Sequence, residues 1–287
     1  MKHFLINLGK GIIVLFAIIG FTFTGVFFAM KFGFTKTAGL VDTQNDFWAS
    51  FKDRSGSITS RPTVGATAVP LGTWVQSDEW KVLKQAIVKD ESVILNAAYD
   101  AHIEPRMVVA QIVAEQLRLF TSERDVFKQV FQPLRVLGTQ TQFSLGVTGV
   151  KEETAARIEQ YLVDTKSVWY PGAEYVHLLD YSLGANADSR IGRFSDEHNH
   201  YYSYLYTALF IREIETQWKS AGFDISNRPE ILATIFNLGF DKSIPKANPV
   251  VGGAQLTING QTYSFGGLAG EFYYSDELIT DFPREGK

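Results

Sequence analysis

The chain of 287 residues contains no cysteine. That excludes a disulfide framework and any metal site built on thiolates. A basic excess is missing too: the formal net charge is -4, so the chain lacks the electrostatic footprint of a nucleic-acid binder. It has no internal repeat and no low-complexity tract, which excludes solenoids and disordered arrays. What remains, with 45% hydrophobic and 20% charged residues, is a globular composition long enough for one large domain or two small ones. Lack of cysteine fits the cytoplasm and a bacterial envelope equally well.

One segment bears on the compartment. Gly11 to Met30 reads "GIIVLFAIIGFTFTGVFFAM" and carries no charge. About twenty apolar residues is the length that crosses a bilayer. The end of the run and the residues after it, "FFAMKFGF", offer no good small-x-small cleavage site, which favours an anchor over a cleaved signal. Lys2 and Lys10 before the run and Lys31 and Lys36 after it nearly balance. The organisation read from the sequence is a cytoplasmic N-terminus over 1–10, a transmembrane anchor over 11–30, a Ser/Thr/Gly/Pro-rich linker over 31–76 and a globular domain over 77–287, placed outside the cytoplasm.

Within that domain the pattern is helical. "SDEWKVLKQAIVKDESVILNAAYDAHI" has helical spacing, with Ser77 or Asp78 as its cap. Pro105 opens a second helix, "VKEETAARIEQYLVDTK" forms a third after Gly149, and "HYYSYLYTALFIREIETQWKSAG" a long fourth that stops near Gly222. Asn227 and Glu230 have the spacing of a capping box before "PEILATIFNLGF". "QLTINGQTYSF" alternates around Asn259-Gly260, a strong two-residue hairpin signal. The expected fold class is therefore mainly α, with a small C-terminal β-hairpin and one N-terminal transmembrane helix.

The second helix raises the chemical question. In "VVAQIVAEQLR", Glu115 shares a side with Val108, Gln111 and Ile112. Apolar neighbours favour the protonated form of a carboxyl, the form that a general acid needs near neutral pH. The structural alternative is a Glu paired with Arg118 or another base at the core edge.

Three motifs occur in order: the Pro-opened helix ending "AEQLR", then "QFSLGVTGVKEETA" with Ser144 and Gly146, then "ILATIFNLGF" with Phe236 and Asn237. This order resembles the lysozyme-like superfamily, in particular the soluble lytic transglycosylase and goose-type lysozyme branch, over roughly residues 77–240. The resemblance implies a lysozyme-like helical domain with Glu115 as catalytic acid. Ser144, Gly146, Phe236 and Asn237 would contact substrate, with no cofactor and with peptidoglycan glycan strands as partner. It also implies cleavage of the MurNAc–GlcNAc β-1,4 bond by a single Glu, a 1,6-anhydro sugar being formed. The chain departs from the pattern: Gln116 follows the Glu where Ser or Thr is usual, Gly149 stands where Gln is usual, and Phe236 stands for Tyr. The segment from Leu117 to Phe143 is long for the family, and nothing in the family accounts for the C-terminal hairpin.

Most glycosidases use two carboxylates, and Glu123, Asp125, Asp180 and Asp196 are the candidates for a second one here, none placed by a motif. "DEHNHYY" offers Asp196, Glu197, His198 and His200 as metal ligands, but no further ligand has suitable spacing, and Asp196 or Asn199 is equally a helix cap. We therefore expect no metal; His200 or Tyr201 is a candidate sugar contact instead. Tyr201, Tyr202, Tyr204, Tyr206, Phe210 and Trp218 read as core rather than as a sugar platform. Phe272, Tyr273 and Tyr274 are open to the same two readings. The competing functional class is a non-enzymatic envelope protein that binds glycan or an assembly partner.

Overall fold

The structure, a computed structural model, describes residues 72–121, 144–145, 148–181, 184–194, 196 and 199–284. The apolar run Gly11–Met30 lies outside them, and among the described residues no helix is long and apolar enough to cross a membrane. The described residues are mainly helical, with two short antiparallel hairpins.

The first expected helix is in fact two, α1 (Asp78–Lys89) and α2 (Glu91–Asp100). Ser77 caps α1 by accepting from the Trp80 amide at 3.1 Å. Asp90 lies between α1 and α2, and its carboxylate pairs with His200 and accepts from the Tyr204 hydroxyl. That tertiary pairing breaks a pattern that looks continuous in sequence. The linker also ends earlier than expected. Thr73–Gln76 forms a 3-10 turn whose Trp74 is fully buried and donates its indole N–H to Glu271 at 3.1 Å. Residues 72–76 therefore belong to the domain.

Helix α3 (Pro105–Thr121) opens at Pro105 as expected and is buried on almost every side. A helix apolar all round must be enclosed, and α3 is: α1, α2 and four elements further along the chain pack on it. Strands β1 (Ser144–Leu145) and β2 (Val150–Lys151) then form a small hairpin leading into α4 (Glu152–Val163). The stretch after α4 carries little regular structure beyond a 3-10 turn at Ala173–Tyr175 and the short helix α5 (Ala187–Phe194). It is fastened by polar contacts instead. Arg190 bridges Glu152 at 2.8 Å and Glu159 at 2.7 Å, and the Arg193 guanidinium sits 3.4 Å from the Tyr181 ring centroid and 3.9 Å from that of Tyr202.

Helix α6 (Tyr201–Ser220) is followed by the left-handed Gly222. Its aromatic residues are core: Tyr204, Tyr206, Phe210 and Trp218 are buried, while Tyr201 and Tyr202 are half-buried. Helix α7 (Pro229–Leu238) starts at a first-turn proline with no side-chain cap. The expected Asn227–Glu230 box does not form, because Glu230 turns instead to the Arg228 guanidinium at 2.5 Å.

The Asn-Gly hairpin forms as read: β3 (Gln255–Ile258) pairs with β4 (Gln261–Ser264), with Asn259 and Gly260 both at positive φ. It runs straight into α8 (Phe265–Tyr274), capped by Ser264. Helices α7 and α8 approach so closely that a Cβ on Gly266 would lie 2.1 Å from Thr234 Oγ1 and 2.4 Å from the Glu230 carbonyl.

The C-terminal residues thus complete the core around α3. Arg106, in the first turn of α3, is fully buried and has five carbonyls around its guanidinium at 2.7–2.9 Å: Phe272, Tyr273, Ser275, Glu277 and Phe282. Desolvation pushes its pKa down to about 10, but the ring of carbonyls satisfies the charge. Phe272 and Tyr273 are buried with it, and Tyr274 is half-buried.

Candidate active site

Glu115 lies on the fourth turn of α3, only 2% exposed, among residues that are almost all apolar. Its carboxylate is not bare. Arg118, one turn further on, donates Nη2–H to Oε1 at 2.6 Å and Nε–H to Oε2 at 3.0 Å. This is the two-pronged geometry in which a guanidinium matches a carboxylate. The Arg118 side chain is 15% exposed and that of Glu115 3%, so the pair sits at the core's edge with the arginine on the outer side.

The β1–β2 turn closes on the same carboxylate. Gly149 has a φ of 67°, in the left-handed region that disfavours side chains, and a Cβ built there would fall 2.0 Å from Glu115 Oε1 and 2.6 Å from its Cδ. Only a glycine lets this backbone lie against the carboxylate. The neighbouring Thr148 is fully buried and fixes the turn by donating its hydroxyl to the Ser203 carbonyl on α6 at 3.1 Å. Glycine at position 149 thus has a local physical cause.

Two of the three motifs therefore meet: the acid-bearing helix and the turn that follows Ser144. Ser144 begins the strand β1 that this turn joins to β2, and Gly146 lies outside the described residues. The third motif is placed by other contacts. Asn237 accepts from the Ala254 amide through Oδ1 at 2.7 Å, which ties α7 to the approach of the C-terminal hairpin. Phe236 is 9% exposed and packs on Phe210 and Phe265, with ring centroids 5.2 and 6.3 Å away. An aromatic ring without a hydroxyl suits that apolar setting.

His200 also has a structural partner. Its Nδ1 lies 2.5 Å from Asp90 Oδ2, and the same oxygen accepts from the Tyr204 hydroxyl at 2.6 Å. This cluster joins the start of α6 to the α1–α2 break; burial and the Asp90 hydrogen bond push the Tyr204 hydroxyl well above its ordinary pKa. Asn199 accepts from the Tyr201 amide at 3.1 Å, and Asp196 accepts from the Asn199 amide at 3.1 Å, so "DEHNHYY" supplies turn contacts. Among the described residues no group of three or more His, Asp or Glu is arranged to hold a metal; Glu197 and His198 lie outside them.

Of the four candidate second carboxylates, Glu123 and Asp125 lie outside the described residues. Asp180 is exposed and faces His177 Nδ1 at 2.8 Å, and Asp196 is exposed in its turn. The buried acids are elsewhere. Glu213, on α6, is fully buried, and neither carboxylate oxygen has a hydrogen-bond partner among the described residues. Burial pushes its pKa well above the ordinary carboxylate range, against the pull of Arg157. Glu230 is raised for the same reason, with Arg228 opposing. Sequence reading missed Arg106 and Glu213; the only signal for either was a charge inside a strongly apolar run, "PRMVVA" and "ALFIREIE".

No family model, no curated protein and no solved structure matches the chain.

Proposed function

We propose that this chain is a membrane-anchored, lysozyme-like enzyme that cleaves the MurNAc–GlcNAc β-1,4 bond of peptidoglycan outside the cytoplasm, more as a lytic transglycosylase than as a lysozyme. The observation that carries this reading is the meeting of Glu115 with the Gly149 turn. A nearly buried carboxyl inside a core helix faces a hairpin whose backbone touches it, and in sequence these are two motifs that resemble the same catalytic domain.

The chemistry needs one carboxyl. Glu115 donates its proton to the bridging O4 as the C1–O4 bond breaks, leaving GlcNAc with a free 4-hydroxyl. The C6 hydroxyl of MurNAc attacks C1 and returns its proton to Glu115, so the acid becomes the base and is regenerated with a 1,6-anhydro product. Hydrolysis would instead call on a second carboxylate to activate water. The described alternatives, Asp180 and Asp196, are exposed and engaged in local contacts, which favours the one-carboxyl route.

One observation favours a second reading, a glycan-binding or envelope-assembly module without turnover: both oxygens of Glu115 are held by Arg118. Mass spectrometry of purified peptidoglycan treated with the detergent-solubilised full chain separates the two. Anhydro-muropeptides from wild type and none from Glu115→Gln are expected for the enzyme. Glycan binding without any product, equal in both proteins, would establish the binding module instead.

A further inference from the structure

We propose that Arg118 is a positioning residue that restrains Glu115 in the resting protein, and that its guanidinium swings outward after a glycan has bound and before proton transfer. This rests on the reading of Glu115 as the acid. The Arg118 fork occupies both carboxylate oxygens, at 2.6 and 3.0 Å. A carboxylate held in this way is an acceptor on both sides and offers no O–H to a leaving oxygen. Proton delivery to a glycosidic oxygen therefore requires the fork to open.

The surroundings decide which partner moves. Glu115 is walled in: its side chain is 3% exposed, and the Gly149 backbone lies so close to Oε1 that even a methyl group would not fit between them. Thr148 keeps that wall in place through its bond to the Ser203 carbonyl. Arg118 has the freer side chain, at 15% exposed, and reaches Glu115 from the last turns of the same helix. It can rotate toward solvent without disturbing α3. The sequence spacing of one turn makes this pair intrinsic to the helix, so it re-forms when the site empties.

The order of events follows. With the glycan bound beside the closed fork, the guanidinium leaves, the carboxylate takes up a proton from solvent, and the new O–H donates to the glycosidic O4. Arg118 itself touches neither the broken nor the formed bond. Removing the fork takes away a restraint present only before chemistry, so it acts on turnover rather than on glycan affinity.

The test is steady-state kinetics of the full chain in detergent on amidase-released glycan strands, for wild type, Arg118→Met, Arg118→Lys and Glu115→Gln, each checked for folding by far-ultraviolet circular dichroism. Arg118→Met is expected to raise kcat about tenfold, the equivalent of one charge-assisted hydrogen bond no longer to be broken. KM should stay within about twofold, since uniform binding is untouched. Arg118→Lys, which keeps the charge but not the fork, should fall between the two and serves if the Met variant does not fold. An unchanged or lower kcat in folded Arg118→Met or Arg118→Lys, with Glu115→Gln inactive, overturns the restraint and leaves the acid reading standing. Wild-type turnover in Glu115→Gln, or none in any variant, overturns both.

Discussion

Gly149→Ala isolates the contact on which the site depends. Two penalties are expected from the structure. At a φ of 67° an alanine costs about 1–2 kcal/mol relative to glycine, because Cβ crowds the following carbonyl. The new methyl would also sit 2.0 Å from Glu115 Oε1, so the turn or the Glu115–Arg118 pair must shift, an overpacking cost of about 1–3 kcal/mol. A total near 3 kcal/mol lowers Tm by about 6–12 °C in a domain of this size. Gly222→Ala is the control: its φ of 86° imposes the same conformational penalty, but no atom lies within 4 Å of the added methyl. Thermal unfolding followed by circular dichroism should show Gly149→Ala losing clearly more than Gly222→Ala. In a Glu115→Ala background the excess should disappear, since the clashing carboxylate is gone. Equal losses at the two glycines, or an excess that survives in Glu115→Ala, would refute the claim that Gly149 is shaped by Glu115.

Arg106→Met removes a donor from five backbone carbonyls; Tyr273 and Ser275 keep Arg284 and Phe272 keeps Ser275, while Glu277 and Phe282 lose the bond that Arg106 makes, so a loss of about 2–4 kcal/mol is expected in chemical denaturation; a loss under about 1 kcal/mol would show that the C-terminal segment does not depend on it. Glu213 should make stability depend on pH. Its carboxyl is raised in the folded state above the ordinary 4.5, so its contribution is fully present below about that pH and is lost as pH rises toward the folded value. The limiting slope is about 1.4 kcal/mol per pH unit. Tm measured from pH 4 to 8 should fall less steeply in Glu213→Gln than in wild type, with the two closest at pH 4. Glu230 adds a dependence of the same sign, which Glu213→Gln retains.

Local signals carried a good part of the helical frame. Pro105 starts α3, Ser77 caps α1, Gly222 follows α6 and Asn259-Gly260 turns the C-terminal hairpin. Each works through backbone chemistry that one or two residues decide. What sequence hid was set by distant partners. The break at Asp90 depends on His200 and Tyr204, more than a hundred residues away. Helix α8 reads "FGGLAGEFYY", poor in helix formers, and Gly266 is there because α7 presses on it. The Asn227–Glu230 spacing promised a capping box, but Arg228 offered Glu230 a charged partner. At the site, Glu115 stood out as an acid in an apolar helix. Arg118 was legible as its alternative partner, while the reason for Gly149 needed the turn and the carboxylate in one place.

The most direct test of the central claim is the product analysis of purified peptidoglycan treated with wild type and with Glu115→Gln. Anhydro-muropeptides from wild type alone are the expected result, and they would assign both the bond cleaved and the acid. Muropeptides with ordinary reducing ends, lost in Glu115→Gln, would keep the acid but replace the intramolecular attack with water. The same products from both proteins, or none from folded wild type, would contradict the claim that Glu115 is the acid of a glycan-cleaving site.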